Sequence, residues 1–576
     1  MMKEEIKKFF KGEVDDSPET LSKYSHDASL LEVRPLVVLY PLDSTDVENL
    51  VKWVGENKQK YPELSITARC AGTDMSGGAI GESIILDFSR HMNKLIAFQP
   101  EQKNLAALAG SGSGHGLNFS APASITVEPG MFYRDFEKIT LEKGLILPCY
   151  TASKSINAMG GMFGNNSAGE RTLKYGKTED YVMEAKVVFA DGVERVVKPI
   201  SLNEISGAEE VYKNIYNLIQ EHGEEIKLAK PKVHKNSAGY YIWNVLHDNV
   251  FDLNKLLVGS QGTLGIATEI TFRLVPNTKY SKLVAIVMND LEPLGRLVGE
   301  ILVDNPETLE TYDDKTMKLA ARFFPDFLKN KGLFGMLKFM WSFLPEFSIM
   351  LRSLLGGKGF PKLILLVEFA GENPEEVEAK CQKLVERISS FKLKVHITKS
   401  VSEASKYWDI RRDSFALLRK HVKSRRTAPF IDDIIVRPEF LPKFIPALNE
   451  ILEQYNLTYT IAGHAGDGNF HVIPLMDFSK PETGKIILEL GEKVYDLVLE
   501  YHGSITAEHN DGLIRTPYLE KMYGAKVISI FKQIKQIFDP KNIFNPGKKI
   551  ASPDGAGTKE YISSHLAIEH KAVHKV

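Results

Sequence analysis

The sequence predicts an α+β protein of at least two domains, and three observations carry that reading. The chain has 576 residues, 43% of them hydrophobic, enough for substantial cores and too many for one ordinary domain. From Pro35 onward, short β-rich runs alternate with amphipathic helical stretches. Beyond Pro276-Asn-Thr the order strand, helix, strand, helix suits helices laid over an antiparallel sheet.

Residues 1 to 31 read as a helical leader. Apolar Leu36 to Tyr40 follows, then a helix opening near Ser44 with Asp46 and Glu48 in its first turn, then a strand from Leu64 to Ala68. The glycine-bearing segment Arg69-Cys-Ala-Gly-Thr-Asp-Met-Ser-Gly-Gly-Ala-Ile-Gly81 leads into a strand from Ser83 to Asp87, an arrangement suited to backbone that approaches a phosphate closely. Ile125 to Gly130 gives a strand and turn, and Tyr133 to Lys143 an amphipathic helix. Residues 148–176, including Asn157-Ala-Met-Gly-Gly-Met-Phe-Gly-Asn-Asn-Ser-Ala-Gly169, form a small and polar loop whose ordering entropy a large ligand could offset. A strand from Val182 to Phe189 and a largely helical region precede Lys255-Leu-Leu-Val-Gly-Ser-Gln-Gly-Thr-Leu-Gly-Ile266, which opens the strand to Leu274. The last helix, near Lys526 to Gln536, gives way to Phe538-Asp-Pro-Lys-Asn-Ile-Phe-Asn-Pro-Gly547, and a mobile tail is expected after Ile550.

Composition excludes several function classes. With 72 basic and 74 acidic side chains and a net charge of −2, nothing draws the chain to nucleic acid. Cys70, Cys149 and Cys381 are too widely spaced for a zinc knuckle or an iron–sulfur cluster and fit a reducing cytoplasm, so electrons handled here need another carrier. The N-terminal Met1-Met-Lys-Glu-Glu-Ile-Lys-Lys lacks an apolar signal core, which argues against secretion. No apolar run reaches the roughly 18 residues of a spanning helix. Leu333 to Leu355 comes nearest, broken by Lys338, Pro345, Glu346 and Arg352; it reads as a buried helical hairpin, and its Phe, Met and Trp content permits peripheral docking on a membrane face.

The densest chemistry lies in His464-Ala-Gly-Asp-Gly-Asn-Phe-His471 and Ala507-Glu508-His509-Asn-Asp-Gly512. The first reads as a hairpin with Asp467-Gly468 in a two-residue type I′ turn, which predicts His464 directly opposite His471 and both rings within reach of one ion. Glu508 is the best candidate for a third ligand.

Together these segments resemble the flavoprotein superfamily of vanillyl-alcohol oxidase and p-cresol methylhydroxylase. Within it they are similar to the FAD-linked D-2-hydroxy-acid dehydrogenases, which include the flavin-carrying component of glycolate oxidase, D-lactate dehydrogenases and D-2-hydroxyglutarate dehydrogenase. The likeness covers about residues 32–548 and rests on Arg69 to Gly78, Gly160 to Gly169 with Tyr175-Gly176, Val258 to Gly265, and the two C-terminal motifs. It implies a two-part FAD-binding domain of the p-cresol methylhydroxylase type over residues 32–276. A substrate or cap domain with an antiparallel sheet would follow over 277–548, carrying an apolar insertion at about 330–358, and a flexible tail over 549–576.

The resemblance assigns FAD contacts to Arg69, Ala71, Gly72, Thr73, Asp74, Met75, Ser76 and Gly77. It adds Gly160, Gly161, Gly164, Asn165, Asn166, Ser167, Ala168, Gly169, Tyr175 and Gly176, then Gly259, Gln261, Gly262, Gly265, Ile266 and Asn545. Ala71 stands where relatives usually have glycine, which requires a negative φ there, and Gln261 replaces the commoner glutamate of Gly-Ser-Glu-Gly. No tethering histidine precedes the pyrophosphate loop, so noncovalent FAD is expected.

By the same resemblance His464, His471 and Glu508 are metal ligands, an N₂O set suited to zinc ahead of manganese or iron, and His509 is the catalytic base. Arg411 of Trp408-Asp-Ile-Arg411 is the substrate-carboxylate anchor, with Arg412 its competitor. Glu508 and His509 would point to opposite faces of a regular strand, so the chain must bend as Asn510 begins. The implied activity is FAD-dependent oxidation of a D-2-hydroxy acid to the 2-oxo acid, with a separate quinone, electron-transfer protein, iron–sulfur protein or oxygen as acceptor. The rivals are a redox-neutral alkyl-dihydroxyacetonephosphate synthase, whose consecutive histidines in the cap are missing here, and a noncatalytic flavin-binding relay protein.

Overall fold

The computed structural model describes residues 2–101, 122–322, 361–421 and 425–568. The apolar segment Leu333 to Leu355 lies outside the described residues, and so does the side chain of Arg412. Among the described residues no helix is long and apolar enough to cross a membrane.

Two larger sheets, with a three-stranded and a two-stranded one beside them, make the N-terminal half. The first runs Glu13–Asp15, Val37–Tyr40, Ile84–Asp87, Ile66–Arg69, the last three strands parallel. The helix Ser44–Asn57 covers it, capped by Asp43, whose carboxylate accepts the amide N–H of Asp46 at 3.1 Å. Its Val47, Leu50, Val51 and Val54 are fully buried at helical spacing, each contributing about 1.5–3 kcal/mol of apolar burial. The second sheet is antiparallel, Leu95–Gln99, Ser124–Val127, Ile266–Arg273, Val182–Val188, Glu194–Val197. Its strand Ile266–Arg273 alternates buried and half-buried residues, as a sheet with one face on a core requires. Val188 and Ile266 reach into the core of the first sheet and tie the two parts together.

The cap is one antiparallel sheet in the order Lys394–Ile397, Tyr280–Met288, Leu363–Gly371, Thr308–Asp313, Thr458–His464, Asn469–Met476, Arg426–Thr427, with Ile434–Ile435 also on Asn469–Met476. The helix Val401–His421 lies against it, with Tyr407 and Trp408 in a cluster with Leu283, Tyr312 and Leu366.

Several expectations need correction. The leader is not purely helical: Glu13–Asp15 pairs with Val38 to Tyr40 and extends the first sheet. The stretch 148–176 is not one loop, because Met159–Asn165 and Thr172–Tyr175 are short helices. The end of the C-terminal span packs on the N-terminal half. Ile543 and Phe544 join the core of the first sheet, and Phe544 bridges Ile66 in parallel. Nor is the tail loose over its described residues, to 568, for Lys559–Ser564 is a helix and Ala567 N–H bonds Leu30 C=O at 3.0 Å. Lys549, fully buried, pairs with Asp511 at 2.8 Å. These contacts bridge segments far apart in the chain, beyond the reach of local pattern.

Candidate active site

A cavity of about 740 Å³ opens between the N-terminal sheets and the cap. Its N-terminal wall is backbone and small side chains. After the strand Ile66–Arg69 the chain turns through Gly72 at φ +66°, where an added Cβ would fall 2.2 Å from Arg69 Nη2. Ala71 is absent from the positive-φ residues, so its methyl is accommodated there. Asp74 shapes the next turn by accepting from Ser76 N–H, Ser76 Oγ–H and Gly78 N–H, each at 2.8 Å. Gly161 lines the cavity, and a methyl added to it meets nothing within 4 Å; the space it leaves is the sort of cradle a planar or phosphorylated ligand would fill.

Of the residues expected to touch FAD, Arg69, Ala71, Gly72, Thr73, Asp74 and Met75 line this cavity. So do Gly160, Gly161, Gly164, Asn165, Ser167, Ala168, Gly169, Gln261, Gly262, Gly265 and Ile266. Ser76, Gly77, Asn166, Tyr175, Gly176, Gly259 and Asn545 do not. They sit one layer behind. Asn545 Nδ2 donates to Gly78 C=O and Gln261 C=O at 2.9 and 2.7 Å, and Asn166 Oδ1 accepts from Glu179 N–H at 3.0 Å. Tyr175 Oη reaches Glu307 of the cap at 3.3 Å. Gly259 C=O accepts from Asn510 Nδ2 at 2.9 Å, which fastens the motif after His509 to this wall.

The cap wall is built from charge. The expected hairpin forms, Thr458–His464 with Asn469–Met476, but its loop has four residues, Ala465 to Gly468, closed by bonds from Asp467 N–H to His464 C=O and Gly468 N–H to Ala465 C=O. His464 therefore faces Asn469, and His471 faces Ala462, not His464. The rings still meet because residues two apart on a strand share a face. Their Nε2 atoms are 3.3 Å apart.

Glu508 Oε1 completes a triangle, 3.2 Å from His464 Nε2 and 3.3 Å from His471 Nε2. A tetrahedral ion with bonds of about 2.0–2.1 Å needs donor separations of about 3.3 Å, so this donor set fits zinc without rearrangement. The outer partners agree. His464 Nδ1 is 2.5 Å from Glu310 Oε1, which fixes the proton on Nδ1 and leaves Nε2 for an ion. Glu508 Oε2 accepts from Lys235 Nζ at 2.8 Å, leaving Oε1.

Glu508 and His509 do share the site, by a device the motif alone did not suggest. Residues 506–509 are not a strand. They wrap the carboxylate of Asp433, whose Oδ2 accepts from Thr506 Oγ and from the N–H groups of Ala507, Glu508 and His509 at 2.6, 2.8, 2.8 and 2.7 Å. The turn continues through Asn510 at φ +67°. With Oδ2 taken up by these four donors and Oδ1 accepting from Asn469 at 3.0 Å, Asp433 serves the backbone turn, which favours the His464, His471 and Glu508 set over a second cluster of Asp432, Asp433, His471 and His509.

His509 Nδ1 is 2.8 Å from Asp432 Oδ1, and its ring stacks on His471 at 5.0 Å between centroids. Burial disfavours the imidazolium of His509, but Asp432 and Asp433 outweigh it and push the pKa up to about 10. His464 follows the same logic, burial being overcome by Glu310 to give about 9. Burial would raise the Glu508 carboxyl, yet Lys235 and His464 hold it well below the usual range. Arg411 lines the cavity, its Nε and Nη2 each 2.9 Å from Glu310 Oε2.

Asp432, Asp433, Glu310 and Lys235 escaped the sequence reading. Adjacent acids inside the apolar Phe430-Ile-Asp-Asp-Ile-Ile435 were a usable signal for the first two; Lys235 and Glu310 carry none.

Residues 35–197 match the model of an FAD binding domain, and residues 277–549 match that of FAD linked oxidases, C-terminal domain. The chain is 26% identical over 561 residues to D-2-hydroxyglutarate dehydrogenase of Pseudomonas putida, covering 95% of this chain and 51% of that protein. It thus spans about half the length of that relative. It is also 26% identical to glycolate oxidase subunit GlcD of Bacillus subtilis, covering 93% of this chain and 94% of the other. In fold it is similar to p-cresol methylhydroxylase with substrate bound, at a TM-score of 0.63, 15% identity and 94% coverage of both chains.

Proposed function

We propose that this chain, which joins an FAD binding domain to the C-terminal domain of FAD linked oxidases, oxidises a D-2-hydroxy acid to the 2-oxo acid. One observation carries the reading. A His464, His471, Glu508 triangle, an imidazole paired to a carboxylate and the guanidinium of Arg411 all line the cavity that the glycine-rich loops enter from the other side.

Arg411 binds the substrate carboxylate, and His464, His471 and Glu508 would hold the ion beside it. When bound, FAD supplies the two-electron acceptor, and a divalent ion, zinc by its donor set, supplies positive charge that polarises the hydroxyl and disfavours the imidazolium form of His509. Asp432 holds the Nδ1 proton of His509, so Nε2 is the nitrogen that takes the hydroxyl proton as the Cα hydride departs. The electrons leave through an acceptor supplied separately.

Anaerobic mixing with D-lactate, glycolate, D-2-hydroxyglutarate and longer D-2-hydroxy acids is expected to bleach the flavin with at least one of them, and to spare it with the L enantiomers. Absorbance that stays unchanged across the panel would remove the proposal.

A further inference from the structure

Glu310 touches both the anchor and the ion triangle. It sits on the strand Thr308–Asp313, which pairs Thr311 with Gly463 and Tyr312 with Ala462, so Glu310 lies one step further along beside His464. Its side chain is 1% exposed and its two oxygens are divided: Oε1 faces His464 Nδ1 at 2.5 Å, and Oε2 faces Arg411 Nε and Nη2 at 2.9 Å. We infer that Glu310 is a positioning residue that couples substrate-carboxylate binding at Arg411 to ion binding at His464, an inference that rests on the proposed dehydrogenase site.

Only a carboxylate does both. Each of its oxygens accepts from a different cation-bearing side chain, and neither partner is free to rotate without losing its bond. An amide in its place has one acceptor and one donor. With the amide oxygen toward His464, its NH₂ faces the Arg411 guanidinium, donor against donor. With the oxygen toward Arg411, the NH₂ donates to His464 Nδ1, which forces the proton onto Nε2 and blocks the ligating nitrogen. Either orientation also removes the negative charge that His464 and Arg411 share, so both functions weaken, one of them further.

The test uses the full-length FAD protein and the Glu310→Gln variant. Zinc affinity is measured by competition with a chromophoric chelator. Then, with zinc saturating, the half-saturation and limiting rate of flavin reduction are measured with whichever 2-hydroxy acid reduces the wild type. The expected result is zinc binding weakened about 10–100-fold, a half-saturation raised at least about tenfold, and bound FAD at the wild-type ratio. A merely structural residue would lower FAD content and limiting rate while sparing half-saturation. If Glu310→Gln fails to retain FAD, Glu310→Asp replaces it, because the carboxylate, one methylene shorter, is drawn back from both His464 Nδ1 and Arg411 and the same two losses are expected. Unchanged zinc affinity with raised half-saturation, or the reverse, would overturn the coupling. Wild-type protein that takes up no zinc would overturn the site reading and this inference with it.

Discussion

The two walls of the cavity are built from different materials. The N-terminal wall relies on where the backbone can go: Gly72 at φ +66°, a turn held by Asp74, and Gly161 leaving space open. The cap wall relies on ionised side chains, each held by a second one: Glu310 on His464, Lys235 on Glu508, Asp432 on His509. Backbone walls tolerate side-chain exchange wherever φ permits. Charged walls do not, since a buried charge stripped of its partner costs several kcal/mol. The largest expected effect therefore belongs to the cap. His509→Asn keeps a hydrogen-bonding side chain beside Asp432 but cannot take the substrate proton. Flavin reduction should fall about 10²–10⁴-fold with the oxidised flavin spectrum unchanged. Wild-type bleaching in stopped flow would break the assignment of the base.

Next in size is the pH dependence of ion binding. Glu310 overcomes burial and holds His464 at about 9, so at lower pH an ion must displace the proton on Nε2. Zinc affinity should weaken about tenfold for each pH unit below that value, with one proton released per ion from this residue. Chelator competition at several pH values, with proton release followed in weak buffer, checks it. An affinity flat across neutral pH would show that the ion displaces no proton from His464. The N-terminal wall, held by backbone geometry, should show no such titration.

The difference in materials also explains what could be read from sequence. Glycine-rich turns are local demands on φ, so Arg69 to Gly78 and Gly160 to Gly169 were visible as a wall before any partner was known. The hairpin was visible too, but its register was not. Asp467-Gly468 suits a two-residue turn, yet the Asp467 carboxylate is drawn to His234 and Lys235, and the loop takes four residues. Charge networks are non-local by nature. Lys235 is 273 positions from Glu508, and Asp433 is 74 from the Ala507 N–H it accepts. The bend required at Glu508-His509 was inferable, whereas its cause, a buried carboxylate from a distant segment, was not. The packing of the C-terminal stretch was hidden for the same reason: Ile543 and Phe544 find their partners near Ile66, far outside any window of periodicity.

The smallest effect sharpens the contrast from the N-terminal side, where a neutral amide stands beside an acid. Gln261, itself at φ +53°, points Nε2 at Asp74 Oδ2, Ser76 Oγ and Asn165 Oδ1 at 3.2, 3.4 and 3.3 Å, and its Oε1 accepts from Gly512 N–H at 2.9 Å. One amide thus joins the Asp74 turn to the segment after His509. Gln261→Glu keeps the shape and the bond to Gly512 but replaces the donor with an acceptor facing Asp74. Losing that bond and setting two carboxylates together should cost about 1–3 kcal/mol, read as a lower temperature of FAD release. Acidification protonates the new side chain and restores a donor, so the deficit should shrink as pH falls. A deficit that persists unchanged in acid would mean the loss comes from packing, and that this wall depends on shape alone.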